Sequence, residues 1–415
     1  MTTRVKATVP RPASPYPLLR LRQGRDYTLS QGHPWVFSGA FLDLPRDLPA
    51  GSVVDVTTHD GHWLARGHLN AANSLAYRAL TRDRDELIDE DFYFRRIQRA
   101  QRLRALLPAD VTAYRLIHAE ADGLPGLIVD RYDHWLVAQF HTAGAEAQRE
   151  MIIAALSGAL GYGVVEGIAT RDDIRARARE GLVVGVPAVA WGLVPDEIEI
   201  RELGVRYLVA PLTGQKTGFF LDQRDKRARI AELAPHGAAL LNLFAYTGGF
   251  ALSALARNPA LRTVNVDSSA PALVQARRNY ALNGIEVEEP RHRFVVSEVN
   301  AWLQRASEEG ERFDLLVVDP PAFAKNLNQR DRALRAYEQL NALALRTLAP
   351  GGLLLTCSCS GGVNADEFEG AVRQALAREH RAARLIGSFG PSLDHPTLPG
   401  FSEDRYLKAL LLSVD

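Results

Sequence analysis

Ala239-Leu-Leu-Asn-Leu-Phe-Ala-Tyr-Thr-Gly-Gly-Phe250 is the stretch on which the fold turns. Its first half, Ala239–Phe244, is an apolar run of strand length, and Phe250–Arg257 behind the glycines reads as a helix. The same alternation continues to the end of the chain. Thr263–Val266, Phe294–Val296, Leu315–Val318, Leu353–Cys359 and Leu407–Val414 read as strands, with helices at Ala270–Asn283, Arg330–Leu348 and Ala365–Glu379. This pattern predicts an α/β fold with a Rossmann-like, doubly wound, mostly parallel sheet. Such sheets bind ligands outside the carboxyl ends of their strands, so the loops after the strands are where chemistry is expected.

Upstream the texture differs. Residues 1–17 hold Pro10, Pro12, Pro15 and Pro17 and predict an extended lead. From 18 to 88 short segments punctuated by glycine predict a small β-barrel. From 89 to 195 a helix at Asp89–Leu107 precedes three strands, at Tyr114–His118, Leu127–Asp130 and Trp135–Phe140. A helix over Glu146–Leu160 and a strand near Val164–Ile168 complete a small α+β middle domain. The last domain runs from 196 to 415 and begins with a β-hairpin at 197–209, turning at Gly204.

With 415 residues, two or three domains are expected. Two cysteines exclude a disulfide framework and point to a reducing compartment. No apolar run approaches membrane-spanning length and the start lacks a signal-type apolar core, so a cytoplasmic protein without a membrane partner is predicted. The 49 basic and 49 acidic residues cancel, which argues against a uniformly positive surface. Arg4, Lys6, Arg11, Arg20, Arg22 and Arg25 nevertheless cluster in a segment without acidic residues. In the barrel, His33-Pro-Trp-Val-Phe37 could stack unpaired bases. Trp35 and Phe37 share a strand face, however, and core packing is the reading we prefer for them.

Three loops carry candidate chemistry. Gly248 and Gly249 allow close backbone approach of a ligand, and Asp267 follows 19 residues after Gly248, at the end of the next strand. A glycine turn with a carboxylate about 20 positions on suits the ribose of an adenosine-containing cofactor. The three-glycine dinucleotide fingerprint is missing. Next, Asp319-Pro-Pro-Ala-Phe323 is stiffened by prolines that cannot donate backbone hydrogen bonds, which leaves carbonyls and a carboxylate free for a planar amine-bearing ring, with Phe323 available to stack. Third, Cys357 and Cys359, the only cysteines, should share one side at the end of their strand, where a thiolate nucleophile is the first hypothesis.

Together, Tyr246-Thr-Gly-Gly-Phe250, Asp267-Ser268, Asp319-Pro-Pro-Ala-Phe323 and Cys357-Ser-Cys-Ser360 resemble the RlmI-like class I S-adenosylmethionine (SAM)-dependent 23S rRNA cytosine-5 methyltransferases. Gly214-Gln-Lys-Thr-Gly-Phe-Phe-Leu-Asp-Gln-Arg224, Arg20–Phe41, His118–Asp130, Asp394-His-Pro396 and Tyr406-Leu-Lys408 extend the resemblance over nearly the whole chain. It implies a PUA RNA-binding barrel, a class I methyltransferase domain, and a nucleophile at Cys359 that adds to carbon 6 of cytosine. Phe220, Asp222, Gln223 and Arg224 would cover SAM. Phe244, Tyr246, Thr247 and Gly248 would cradle its methionine end, with Asp267 and Ser268 at the ribose and Glu298 at the adenine. Asp319 is placed at the cofactor and the substrate, and Lys216, Pro320, Pro321, Phe323 and His395 at the substrate; no metal is implied. The partner would be 23S rRNA or a large-subunit assembly intermediate, and relatives suggest a homodimer.

Some roles stay open. The base that releases the enzyme could be Asp319, a water or Cys357, and Asp319 could instead hydrogen-bond ring nitrogen 3 or the exocyclic amine. A rival reading is base-nitrogen methylation through the Asp-Pro-Pro loop without a nucleophilic cysteine. Another is a non-catalytic RNA-binding ribosome-assembly factor.

Overall fold

The computed structural model describes residues 14–415 apart from 162, 288, 289, 325 and 326. Most of the proline-rich lead thus lies outside the described residues. The first sheet has five strands in the order Leu18–Arg20, Ser52–Thr57, Trp63–Leu69, Leu75–Thr81, Trp35–Phe37. Leu21, Val54, Val56 and Tyr77 fill its interior. The expectation for Trp35 and Phe37 is overturned. Strand alternation turns Val36 between them inward, and Phe37, beyond a register shift against Leu75, is left 57% exposed. Trp35 is half-buried because it meets Phe401 of the last domain edge-on, with ring centroids 4.8 Å apart.

Glu90–Arg104 packs on the second sheet, ordered Ala188–Gly192, Gly167–Thr170, Trp135–Phe140, Leu127–Tyr132, Ala113–His118. The single helix expected over Glu146–Leu160 is two, Ala143–Ala147 and Arg149–Ala159, joined at Gln148. Ala188–Gly192 was not foreseen. All five of its residues are exposed, so no burial alternation marks it in the sequence. The hairpin pairs Ile198–Glu202 with Val205–Val209. Its two turn residues, Leu203 and Gly204, both have positive φ (51° and 82°), the twist that two-residue hairpins favour.

The last domain alternates β1 (Ala239–Leu243), α1 (Gly249–Arg257), β2 (Arg262–Asp267), α2 (Ala270–Leu282), β3 (His292–Val296), α3 (Val299–Glu308), β4 (Phe313–Val318), α4 (Arg330–Thr347), β5 (Leu348–Ser358), α5 (Ala365–Arg378), β6 (Ala383–Phe389) and β7 (Lys408–Val414). The sheet order is β3-β2-β1-β4-β5-β7-β6, with β7 antiparallel to both neighbours. Its strands are apolar on both faces because helices cover both. Leu240, Leu315, Val317 and Leu355 pack on one side, and Leu241, Leu243, Leu316, Val318 and Leu354 on the other. Chain order reverses between β1 and β4, so the loops after β1, β2, β4 and β5 open onto one crevice.

The middle and last domains are locked together by polar groups. Asp394 accepts from the Arg115 backbone N–H (2.8 Å) and from the Arg224 guanidinium (2.8 Å). Thr217 donates to Asp130 at 2.5 Å. Both contacts fix the segment before β1 over the crevice.

Candidate active site

The loop after β1 is the most contorted in the sheet. Phe244, Tyr246 and Gly248 all have positive φ, at 56°, 48° and 81°. Left-handed backbone in non-glycine residues persists only where surrounding contacts hold it, and it gathers at functional sites. Asp267 supplies those contacts. Its Oδ2 accepts from Tyr246 N–H and its Oδ1 from Ser269 N–H, each at 2.8 Å. A carboxylate has about four lone-pair sites, so Asp267 keeps acceptor capacity toward the crevice. Gly248 starts α1, and a Cβ there would stand 3.2 Å from Ala276 Cβ.

A second wall comes from the segment before helix Arg224–Leu233. Tyr246 Oη donates to the Gly218 carbonyl (3.2 Å) and accepts from Gln215 N–H (3.2 Å), which draws this segment over the loop. Phe220 meets the Tyr246 ring edge-on at 5.2 Å, and Lys216 Nζ lies 4.3 Å from the Phe220 ring centre. Asp222 is buried beneath them and accepts from Tyr406 Oη (2.6 Å) and Lys216 Nζ (3.3 Å). Burial opposes its ionisation, yet Lys216, His395 and the Tyr406 hydroxyl together hold it below the ordinary carboxylate range.

The third wall is made by the loops after β4 and β5. Cys359 Sγ approaches the Pro320 carbonyl at 3.7 Å. Burial, then the charge of Asp319, pushes the Cys359 thiol up to about 11. Burial and the neighbouring Asp222 charge push Asp319 up to about 6. These walls enclose a cavity of about 640 Å³. Of the residues expected at the site, Lys216, Phe220, Asp222, Gln223, Phe244, Tyr246, Thr247, Asp267, Ser268, Asp319, Pro320, Pro321 and Cys359 line it.

The remaining expected residues lie elsewhere. Arg224 is buried between Asp394 and Glu202, where it joins domains. Glu298 is exposed and its carboxylate caps α3 by accepting from Ala301 N–H. Phe323 stacks against Tyr337 of α4, 4.7 Å between centroids, and is not on the cavity wall. His395 is buried against Asp394 and His118. Gly248 underlies the wall through its backbone conformation. Cys357 lies on the same side as Cys359 but is fully buried in the core, which removes it as a release base. Gln215, Phe219, Tyr406 and Leu407 also line the cavity; the family motifs contain all four, but no site role was assigned to them. They stand in irregular segments where no periodicity points to them.

The donor set fits SAM. Asp222 Oδ1 and Gln223 Oε1 are buried acceptors with no partner, suited to an ammonium group. Asp267 has lone pairs for ribose hydroxyls, and Phe220, Phe244 and Tyr246 offer aromatic surface.

Comparison with known proteins agrees with this arrangement. Residues 177–412 match the model of the S-adenosylmethionine-dependent methyltransferase family, and residues 19–82 that of a PUA-like domain. Ribosomal RNA large subunit methyltransferase I of Erwinia tasmaniensis is 40% identical over 95% of this chain and 99% of its own. The protein of that name from Klebsiella pneumoniae is 39% identical over 96% and 98%. A structure from Streptococcus mutans described as a SAM-dependent methyltransferase superposes with a TM-score of 0.80 at 20% identity, over 96% of this chain and 100% of that one. A methyltransferase solved with SAH bound gives a TM-score of 0.82 at the same identity and coverage. Among the described residues no helix is long and apolar enough to cross a membrane. The chain belongs to the S-adenosylmethionine-dependent methyltransferase family, in the group whose curated members are the ribosomal RNA large subunit methyltransferase I proteins.

Proposed function

We propose that this protein forms 5-methylcytosine in large-subunit ribosomal RNA through a covalent adduct between Cys359 and the base. The observation that carries the reading is that Cys359 opens into the cavity that Asp319 and Asp267 also line. Carbon 5 of cytosine is a poor nucleophile. Addition of a thiolate to carbon 6 turns the ring into an enamine whose carbon 5 can attack an electrophile, so one hard step becomes two easier ones. Bound SAM supplies a methyl group on a positively charged sulfur. Asp222, Gln223 and Asp267 would hold the two polar ends of the cofactor, and Phe220 and Tyr246 would flank it.

Cys359 must lose its proton before it attacks, since its resting pKa of about 11 keeps it a thiol at neutral pH. Asp319 is the group we assign to removal of the carbon-5 proton, whose loss breaks the carbon 6–sulfur bond and returns the Cys359 thiolate by elimination. At about 6 it is ionised at neutral pH yet basic enough to accept. The rigid Pro320 and Pro321 turn holds it at the cavity edge. The substrate class rests on the relatives' printed names and on the PUA-like barrel, where Phe37 stands exposed.

RNA containing 5-fluorocytosine, whose carbon-5 fluorine cannot be removed as a proton, tests the reading. With SAM it should trap the wild-type protein as a covalent adduct, and Cys359→Ala should give neither adduct nor methylation. Mapping rRNA methylation by mass spectrometry in a deletion strain should show one 5-methylcytosine missing. The raised thiol is the one observation that favours base-nitrogen methylation instead, and full activity in Cys359→Ala would establish that rival.

A further inference from the structure

The two residues that flank the nucleophile have their side chains turned away from the cavity and onto one buried phenol. Ser358 Oγ donates to Tyr337 Oη at 2.9 Å, and Tyr337 Oη lies 2.8 Å from Ser360 Oγ. A phenol has a single proton, so one that accepts from Ser358 is free to donate to Ser360. Ser360 Oγ also accepts from the Ala324 backbone N–H at 3.0 Å. Ala324 ends the segment that begins at Asp319. Phe323 in that segment stacks on the Tyr337 ring, and Phe368 of α5 meets the ring from another side at 5.1 Å. Lys408 Nζ holds the Ser360 carbonyl at 2.7 Å. All three hydroxyl-bearing side chains are fully buried.

We infer that Tyr337 is a positioning residue for methyl transfer, a hydroxyl on α4 that fastens the peptide on both sides of Cys359 and ties it to the Asp319 loop. The network contains no group that touches the cavity, and Tyr337 is not on its wall. Its effect is on where the sulfur sits. The peptide after β5 leaves the sheet at Ser358, so ladder hydrogen bonds no longer fix it. Side-chain bonds to a rigid helix take their place. The same phenol fixes the far end of the Asp-Pro-Pro segment, so nucleophile and base keep one spacing as the substrate enters. This inference rests on the reading of Cys359 as nucleophile.

Tyr337→Phe removes one oxygen and keeps the ring that Phe323 and Phe368 pack on. In the full-length protein with SAM and 5-fluorocytosine RNA, the rate of adduct formation and kcat on unmodified RNA should both fall at least about tenfold, as misplacement of a reacting group does. KM for SAM should stay within about twofold, because the cofactor walls are untouched. Ser360→Ala should reproduce this split through the other end of the bond. A kcat within twofold of wild type in Tyr337→Phe would overturn the inference, as would parallel losses in kcat, SAM affinity and Tm, which mark a merely structural hydroxyl. Cys359→Ser in the same assay keeps the two questions apart. If it abolishes the adduct while Tyr337→Phe is normal, the positioning role fails and the nucleophile stands. If Cys359→Ser methylates normally, the nucleophile itself fails.

Discussion

Asp319 titrates within the working range of an enzyme assay because burial and the charge of Asp222 push its carboxyl up to about 6. As the base it must be ionised, so kcat should climb as pH rises through about 6, and Asp319→Asn should erase that limb and slow turnover by about 100-fold or more. A rate that falls above 6 would make the protonated form the active one and assign Asp319 to hydrogen-bonding the base. Its contribution to folding has the opposite sign. A folded pKa above the unfolded one stabilises below about 4 and is lost as pH rises through 6. Cys359 adds a second alkaline rise, since its thiolate fraction increases toward its raised pKa of about 11. Both groups were legible in the sequence because each ends a strand of the parallel sheet. His395 was assigned to the substrate on motif membership alone, and Phe323 as a ring free to stack beside the proline turn. Their side chains turn to His118 and Tyr337, contacts that no local pattern encodes.

At the level of elements, the turn from β1 into α1 packs one wall of the cavity into five residues. Gly248 holds φ 81°, and a Cβ would press on Ala276. Gly248→Ala should cost about 1–2 kcal/mol of stability for the left-handed conformation and weaken SAM binding, as calorimetry and denaturant melts would show. Asn364→Ala makes a control. It removes the capping box of α5 for about 1 kcal/mol and should leave kcat unchanged. In this domain α3 and the largely exposed strand β6 were not foreseen, while the other strands and helices followed from periodicity, because buried parallel strands are uninterrupted apolar runs. The exposed strand Ala188–Gly192 and the break at Gln148 escaped notice for the converse reason. One has no inward face, and the other divides a helix whose apolar spacing runs straight through. The wall before helix Arg224–Leu233 was found only through a family motif, since nothing in its composition announces a lid.

Across the whole molecule, buried charge ties the middle domain to the last domain. Asp394 receives Arg224 and the Arg115 backbone, and the neighbouring His395 and Arg224 hold it below the ordinary carboxylate range against the effect of burial. Asp394→Ala strands those donors and should cost about 3–5 kcal/mol, the usual loss when one member of a buried pair is removed. A depressed folded pKa stabilises above the unfolded value near 4 and ceases to do so as pH falls below it, so the wild type should lose denaturant resistance there while the variant changes less. Between Asp394 and β7 the chain first sends Phe401, 2% exposed, between His33 and Trp35 of the barrel. A few residues on, Tyr406 reaches Asp222 in the cavity. The barrel that would grip an RNA strand and the chamber that would modify it are thus strung on one short cord. A swing of the barrel that displaced Phe401 would tug on the Tyr406 hydroxyl at the cavity wall, so that anchoring a polynucleotide far from the target base would be felt as tension where the methyl donor would rest.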